Sequence, residues 1–347
     1  VRACVLWACA FSNAYAQQST QTALDPAGTQ ARTIGDLWWL FFYVLSAVWV
    51  LVMLATLLAV FHGRRHGKTS GPGTDSDAPA EPSVAPDSSS ERRRTIWVGG
   101  ALGVTIIILF VLLVSSFLTG RKVSSMSTGD SISIEVTGHQ WWWEVRYSDP
   151  VASNIFTTAN EIHIPLGRPV QLTLKSADVI HSFWVPNLSG KKDLIPGKSA
   201  TLVLKADREG IYRGQCAEFC GHQHAHMAFL VVAEPQEKFD AWLRQQRGPA
   251  AEPADPVQQR GQKVFLSSPC IMCHTIKGTP AGSHVGPDLT HVGSRSTVAA
   301  ATLPNTPGHL MGWVSDAQGV KPGSRMPPNN LSSDDLQAVV AYLQSLK

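Results

Sequence analysis

The apolar positions of this chain fall into three regimes. First come two unbroken runs, Leu37 to Phe61 (25 residues) and Ile96 to Leu118 (23 residues), neither holding a charged side chain. A helix needs ~20 apolar residues to cross the hydrocarbon core of a bilayer, so each run predicts a membrane-spanning helix. Trp38, Trp39 and Trp97 stand at the ends of the runs, where interfacial aromatics anchor such helices. Between the runs, a stretch from Gly63 to Ser90 rich in Pro, Ser and Gly predicts a disordered loop. Arg64, Arg65 and Lys68 flank it on one side and Arg92, Arg93 and Arg94 on the other. The positive-inside rule therefore puts the loop over 63–94 in the cytoplasm, and everything after Gly120 outside.

The second regime covers residues 130–233. Short runs with partial alternation at 132–136, 161–164, 170–174, 200–204 and 229–232 are separated by turn signals such as Gly167-Arg168-Pro169 and Pro196-Gly197. Several short strands at this spacing predict a sandwich or barrel. Pro235 to Arg247 has helical spacing, and Gly248 to Pro256 reads as a Pro/Ala-rich linker. The third regime, Val257 to Lys347, is helical in pattern, with a terminal helix over Ser333 to Leu346. The predicted fold class is a multidomain membrane protein. A two-helix transmembrane hairpin (33–120) precedes a β-sandwich domain (125–247), the linker (248–256) and an all-α domain (257–347). Ahead of these, residues 1–16 read as a secretory signal: Arg2, an apolar Val5 to Phe11, and Ala14-Tyr15-Ala16 as a cleavage site. Leu6-Trp7-Ala8-Cys9 weakly resembles a lipoprotein cleavage box.

Composition narrows the function. Charged residues make up 16%, against about 25% in typical soluble proteins, as an embedded portion requires. A net charge of +3 excludes a polybasic nucleic-acid binder, and 44% hydrophobic residues exclude wholesale disorder. Six cysteines are too few for a disulfide scaffold. Beyond Cys4 and Cys9 they fall as close pairs, Cys216/Cys220 and Cys270/Cys273, which point to metal or cofactor work.

The first pair lies in Cys216-Ala-Glu218-Phe-Cys220-Gly-His222-Gln-His224-Ala-His226-Met227. Soft sulfur with imidazole suits copper or zinc. A Cys216–Cys220 disulfide and a structural zinc site are the alternatives, although methionine is not a usual zinc ligand. Cysteine, histidine and a weak methionine together point to an electron-transfer copper. With His181-Ser-Phe-Trp-Val-Pro186 upstream, the pattern resembles the binuclear CuA motif of cytochrome c oxidase subunit II, over roughly residues 35–245. That resemblance implies a cupredoxin domain in which Cys216 and Cys220 bridge two coppers and His181 and His224 bind one each. It implies Met227 as the weak ligand and the Glu218 carbonyl on the other copper, with the Glu218 carboxylate reaching a magnesium site at the junction with subunit I. His222 and His226 stand at the wrong offset, and His139 and His163 read as structural. The segment Gly138-His139-Gln140-Trp141-Trp142-Trp143 matches the family's aromatic stretch, which implies Trp141 as the point where electrons come in. Strand alternation would put Trp141 and Trp143 on one face and Trp142 on the other. One departure from the family is Arg94, where many members carry a proton-uptake glutamate; the nearest carboxylate here is Glu91.

The second pair lies in Cys270-Ile-Met272-Cys273-His274, the C-x-x-C-H pattern of covalent haem attachment. A thioredoxin-type redox pair would need a βαβ context, which the sequence lacks. Gly286-Pro287-Asp288-Leu289 and Gly323-Ser-Arg-Met326-Pro327-Pro328 follow, and residues 257–347 resemble a class I cytochrome c. The resemblance implies His274 and Met326 as the iron's axial ligands, a pairing that raises the reduction potential. Met272, Met311, His284, His291 and His309 lack the family context.

Together the regions resemble a fused, caa-type subunit II. The resemblance implies that electrons pass from an external donor, such as a soluble cytochrome c or an upstream respiratory complex, through haem c and CuA to subunit I. There oxygen becomes water and protons are pumped. It also implies a subunit III, and a bacterial cytoplasmic (inner) membrane with both soluble domains on the periplasmic side. The small subunit of a CuA-containing nitric oxide reductase and a free-standing membrane electron carrier are the rival readings. A nitrous oxide reductase would need a propeller domain that does not fit in 347 residues, and a quinol oxidase subunit would lack the cysteine pair. Extended at ~3.1 Å per residue, the linker would let the haem domain swing against the copper face near Trp141.

Overall fold

The computed structural model describes residues 21–66, 88–125, 129 and 131–347. The signal segment with Cys4 and Cys9, and the centre of the expected loop, lie outside the described residues. Helix α1 spans Thr29–His66 and α2 spans Ser88–Ser124, and each is long and apolar enough to cross a membrane. Both outrun the apolar stretches predicted for them. Helical hydrogen bonding continues into flanks such as Arg121 and Lys122, whose charges suit the negative end of the α2 dipole. The described residues from Thr33 to Ser125 form one compact unit, and the described residues before and after them form another.

The second unit opens with a β-sandwich. Its strands are β1 (Ile132–His139), β2 (Trp142–Tyr147), β3 (Phe156–Ala159), β4 (Glu161–Pro165), β5 (Val170–Ser176), β6 (His181–Trp184), β7 (Lys192–Leu194), β8 (Ala200–Leu204), β9 (Gly210–Cys216) and β10 (Ala228–Glu234). One sheet runs β3-β2-β1-β5-β8 and the other β4-β10-β9-β6-β7. The β1–β5 and β4–β10 pairs are parallel. The five expected strands are β1, β4, β5, β8 and β10. The others hide for physical reasons. On β9 the inward positions are Tyr212, Gly214 and Cys216, so the strand reads as polar and glycine-rich. On β6, His181, Ser182 and Phe183 are all buried, so no alternation exists to be seen.

Ile134, Val136, Trp143, Leu172, Leu174, Phe183, Phe229 and Val231 fill the space between the sheets. Fully burying such a side chain stabilises by ~1.5–3 kcal/mol. The aromatic stretch departs from the expected alternation. Trp141 sits in the turn between β1 and β2, so only Trp142 and Trp143 obey the strand period. Residues 21–32 fasten to the sandwich through Ala27 N–H on the Asn187 carbonyl, a Gly28–Ala206 bridge and an Arg208–Asp25 ion pair.

Helix α3 (Gln236–Arg247) follows the sandwich and buries Phe239 in its core. The segment from Gly248 onward has neither helix nor strand as far as α4 (Pro256–Ser267). It is not extended free: the Ala250 N–H donates to the Lys277 carbonyl, and the Gly248 carbonyl meets His291 Nε2 at 3.3 Å. Asp255 caps α4 by accepting from the N–H groups of Val257 and Gln258, with Pro256 in the first turn. Helices α5 (Pro307–Ser315), α6 (Ala317–Val320) and α7 (Ser333–Ser345) complete the domain.

Helices α4 and α7 cross at Gly261. A Cβ there would lie 2.0 Å from the Ala338 carbonyl oxygen and 2.8 Å from Tyr342 Cβ. Neither neighbour is a flexible side-chain tip, so the helices themselves would have to part. Gly261→Ala is expected to destabilise the C-terminal domain by about 3 kcal/mol, the upper range for overpacking. Denaturant unfolding followed through that domain's absorbance would check it; an unchanged midpoint would show that the crossing is loose.

Candidate functional site

The first cluster forms where β6 begins and β9 ends. These strands pair, with Phe183 opposite Cys216, so His181 and Cys216 approach one another. The chain after Cys216 loops back to β10. The loop is held by Cys216 N–H on the Met227 carbonyl, Ala217 N–H on Ser182 and His224 N–H on Gly221. Cys216 Sγ lies 3.7 Å from Cys220 Sγ and 3.9 Å from His181 Nδ1. Cys220 Sγ lies 3.6 Å from His224 Nδ1 and 3.7 Å from Met227 Sδ. Ligands bound at ~2.0–2.3 Å with near-tetrahedral angles stand about 3.3–3.8 Å apart, so this donor set fits soft metal ions. The ligand atoms of His181, Cys216 and Cys220 all lie within 4.8 Å of one another, and all three residues are buried. Both cysteines are free, not disulfide-linked.

The electrostatics favour a thiolate. The hydrogen bond with Cys220 holds the Cys216 thiol down at about 4 against the opposing effect of burial, and His181 assists. The same shared bond pushes Cys220 up. Burial disfavours a charged His181, but its bonds to Cys216 and Asp178 outweigh this and raise its pKa. The Glu218 carbonyl oxygen stands 3.1 Å from Cys216 Sγ, while the residue itself is exposed.

Residues that the sequence pattern does not single out hold these donors. Asp178 lies 2.8 Å from His181 Nε2, which leaves Nδ1 facing Cys216. It also accepts from the Gln140 and Val179 N–H groups, each at 2.7 Å. Such outer partners fix a ligand's tautomer and ring orientation. Gly138 leaves room for the ring, since a Cβ would lie 2.7 Å from His181 Cδ2. The Trp141 indole N–H and the Gln140 amide both donate to the Cys220 carbonyl, at 2.9 and 2.8 Å. His222 is exposed, and the His226 ring bonds to Gln223 Oε1 at 2.9 Å, so neither joins the cluster. His163 is half-buried, bonded to Glu161 and Glu234 on either side, and stacks on Trp242. His139 stacks on Trp142.

The second cluster is the Cys270–His274 turn. The N–H groups of Cys273 and His274 both donate to the Cys270 carbonyl, which gathers two thiols and an imidazole onto one tight turn. His274 Nδ1 lies 2.7 Å from the Pro287 carbonyl, so it carries the proton and Nε2 is left as an acceptor able to bind iron. Burial lowers the His274 pKa, which keeps the ring neutral. Cys270 and Ile271 pack against the core of the helical domain with Leu289 and Leu303. Arg295 Nε is buried without a hydrogen-bond partner among the described residues, as a site for a group bearing carboxylates would leave it. These features fit a haem. The Gln318 amide fixes the Met326 loop by donating to the Ser324 and Met326 carbonyls, both at 2.7 Å. Of the rival ligands, Met272 is 66% exposed and His284 is exposed too. His291 bonds to the Lys347 and Gly248 carbonyls, and His309 to Thr306.

The comparisons agree with this division. The family model for the periplasmic domain of cytochrome c oxidase subunit II matches residues 149–234, and that for cytochrome c matches residues 258–347. Cytochrome c oxidase subunit 2 of Alkalihalophilus pseudofirmus is 35% identical over 94% of this chain and 91% of that protein. The corresponding protein of a Bacillus species is 31% identical over 70% of this chain and 72% of that protein. A solved periplasmic domain of subunit II of the Bradyrhizobium japonicum cytochrome oxidase is 29% identical, covering 33% of this chain and 93% of that chain, with a TM-score of 0.32. The chain is therefore a member of the cytochrome c oxidase subunit 2 family that carries a cytochrome c domain at its C-terminal side.

Proposed function

We propose that this chain accepts electrons at its outer domains and hands them to subunit I of a haem-copper oxidase, where oxygen is reduced to water and protons are pumped. The observation that carries the reading is the approach of two buried cysteine sulfurs to the buried His181 imidazole, the half-buried His224 imidazole and the buried Met227 thioether. In this reading Cys216, Cys220, His181, His224, Met227 and the Glu218 carbonyl would hold the CuA coppers, with the two cysteine thiolates as the shared soft donors. The Glu218 carboxylate, being exposed, is free to reach a magnesium ion at the subunit I junction. Cys270 and Cys273 hold haem c covalently, and His274 and Met326 bind its iron. When bound, both groups supply reversible one-electron transfer. The protein's part is to orient the donors, through Asp178 on His181 and Pro287 on His274, and to exclude water from the sulfurs. Trp141 connects to the copper loop through its bond to the Cys220 carbonyl.

The basic residues at the C-terminal end of α1 and in the first turns of α2 orient the chain, with both soluble domains on the periplasmic face of a bacterial inner membrane. Arg94 is one of these anchors. A guanidinium stays charged at ordinary pH and cannot relay protons. The outer donor is a soluble cytochrome c or a respiratory complex, and subunit III completes the assembly.

The test is the purified membrane complex containing this chain. It is expected to hold about two coppers per covalent haem, as paired bridging thiolates imply, and to consume oxygen when given a reduced donor. Consumption of nitric oxide but not oxygen would overturn the oxidase reading. Purification without any larger catalytic subunit would make the chain a free-standing carrier instead.

A further inference from the structure

The cupredoxin and cytochrome domains meet at the copper loop, and a lysine sits at the centre of that contact. Lys321 is 2% exposed. Its Nζ donates to the carbonyls of Trp141 at 2.8 Å, His226 at 2.9 Å and Ala299 at 3.3 Å. An ammonium has three N–H donors, and each has a partner here. Among the described residues no carboxylate pairs with Lys321, which is unusual for a lysine so fully buried. Two of its acceptors flank the copper site: Trp141 bonds to the Cys220 carbonyl, and His226 directly precedes Met227.

The third acceptor belongs to a strained turn. Ala299, Ala300 and Ala301 all have positive φ, at 54°, 58° and 54°. An alanine in this region costs roughly 1–2 kcal/mol and persists only where its surroundings hold it. Two of the holding contacts come from across the domain boundary, whereas the Ala299 carbonyl is held within the cytochrome domain by Lys321 and Thr302 Oγ1. The Ala300 carbonyl accepts from Ala228 N–H at 3.3 Å, and the Ala301 carbonyl from Arg213 Nη1 at 2.8 Å. Just beyond Lys321, the Gln223 amide donates to the Pro322 carbonyl at 2.9 Å, and a Cβ on Gly323 would lie 3.7 Å from the Trp141 ring. Met326 follows in the same loop.

We infer that Lys321 is a positioning residue: it docks the Gly323–Met326 loop of the cytochrome domain on Trp141 and so fixes the gap that electrons cross between the two domains. This rests on the electron-transfer reading above. It replaces a swinging tether with a docked donor, and it gives the strained alanine turn a reason to exist.

The test is Lys321→Met in the full chain, assembled and loaded. The thioether side chain fills similar space but donates nothing, which removes a donor from three carbonyls and leaves those of Ala299 and His226 with Thr302 Oγ1 alone among the described residues. Hydrogen exchange across 226–230 and 297–302 is expected to accelerate by about tenfold or more. The intramolecular haem-to-copper rate after flash reduction is expected to fall by a similar factor. The spectrum and reduction potential of each site should stay as in the parent, since no ligand is touched; a general loss of folding would move both. Exchange and rate within about twofold of the parent would overturn the inference, as would a change in only one of them. Lys321→Gln keeps two N–H donors and should fall between the two, and it serves if the methionine variant does not assemble. A parent chain that takes up no copper or haem would instead fail the underlying reading, and the exchange measurement would still report the docking.

Discussion

Replacing Cys216 with serine is expected to abolish the two-copper centre while leaving the haem in place. Cys216 and Cys220 are equally connected within the cluster, and more so than its other donors. The Cys216 sulfur approaches Cys220, His181 and the Glu218 carbonyl at 3.7, 3.9 and 3.1 Å. Its pKa, drawn down to about 4 first by the bond with Cys220, supplies the anionic sulfur that soft metal binding needs. A serine hydroxyl stays protonated and is a hard donor, so it neither bridges copper ions nor suits their softness. The local fold should survive, because Cys216 is fixed by its main chain: its N–H bonds to the Met227 carbonyl, and β9 pairs on both sides. Copper analysis and electron paramagnetic resonance of the variant should show less than about half the parent copper, with no hyperfine pattern shared between equivalent nuclei. Survival of that shared pattern would count decisively against the assignment. Met227→Leu should be far milder, since a weak ligand tunes potential more than it holds metal.

The site was legible where chemistry is written contiguously. Cys216, Cys220, His224 and Met227 lie within one short stretch, and Cys270, Cys273 and His274 within one turn, so spacing drew attention to both cysteine pairs and the family resemblance picked out His224 and Met227. The membrane helices were legible because bilayer crossing demands an unbroken apolar run. Half of the strands were not, because β6 is buried along most of its length and β9 carries glycine inward. Asp178 offered only a faint signal, an acid three residues before His181. Lys321 and the alanine turn offered none. A lone lysine in a glycine- and proline-rich loop reads as solvated, and only the packing of one domain on the other turns it into a buried donor of three hydrogen bonds. The linker was misjudged for the same reason: its composition suggests a free tether, whereas Ala250 and Gly248 are fastened to the helical domain.

The second large effect is expected from Cys270→Ala combined with Cys273→Ala. These thiols stand on the turn that also presents His274, and no other free cysteine among the described residues belongs to the helical domain. Without them no thioether can form, so haem staining of this chain after denaturing electrophoresis should vanish. His274 keeps its bond to Pro287 and Met326 keeps its loop, so weak non-covalent haem binding should persist before denaturation. Stability should fall as well. The domain core contains Phe265, Val339 and Tyr342 but is small, and Cys270 and Ile271 border it. A partly filled haem site costs what a large cavity costs, roughly 3 kcal/mol or more, and haem that dissociates no longer stabilises the domain by mass action. The residues proposed to hold copper lie in the other domain, so copper content and its resonance signature should be unchanged. Three measurements decide the matter: haem stain, thermal unfolding of the C-terminal domain, and copper resonance. A stained band from the double variant would show that the attachment lies elsewhere, and loss of the copper signature along with the haem would show that the two sites do not fold independently.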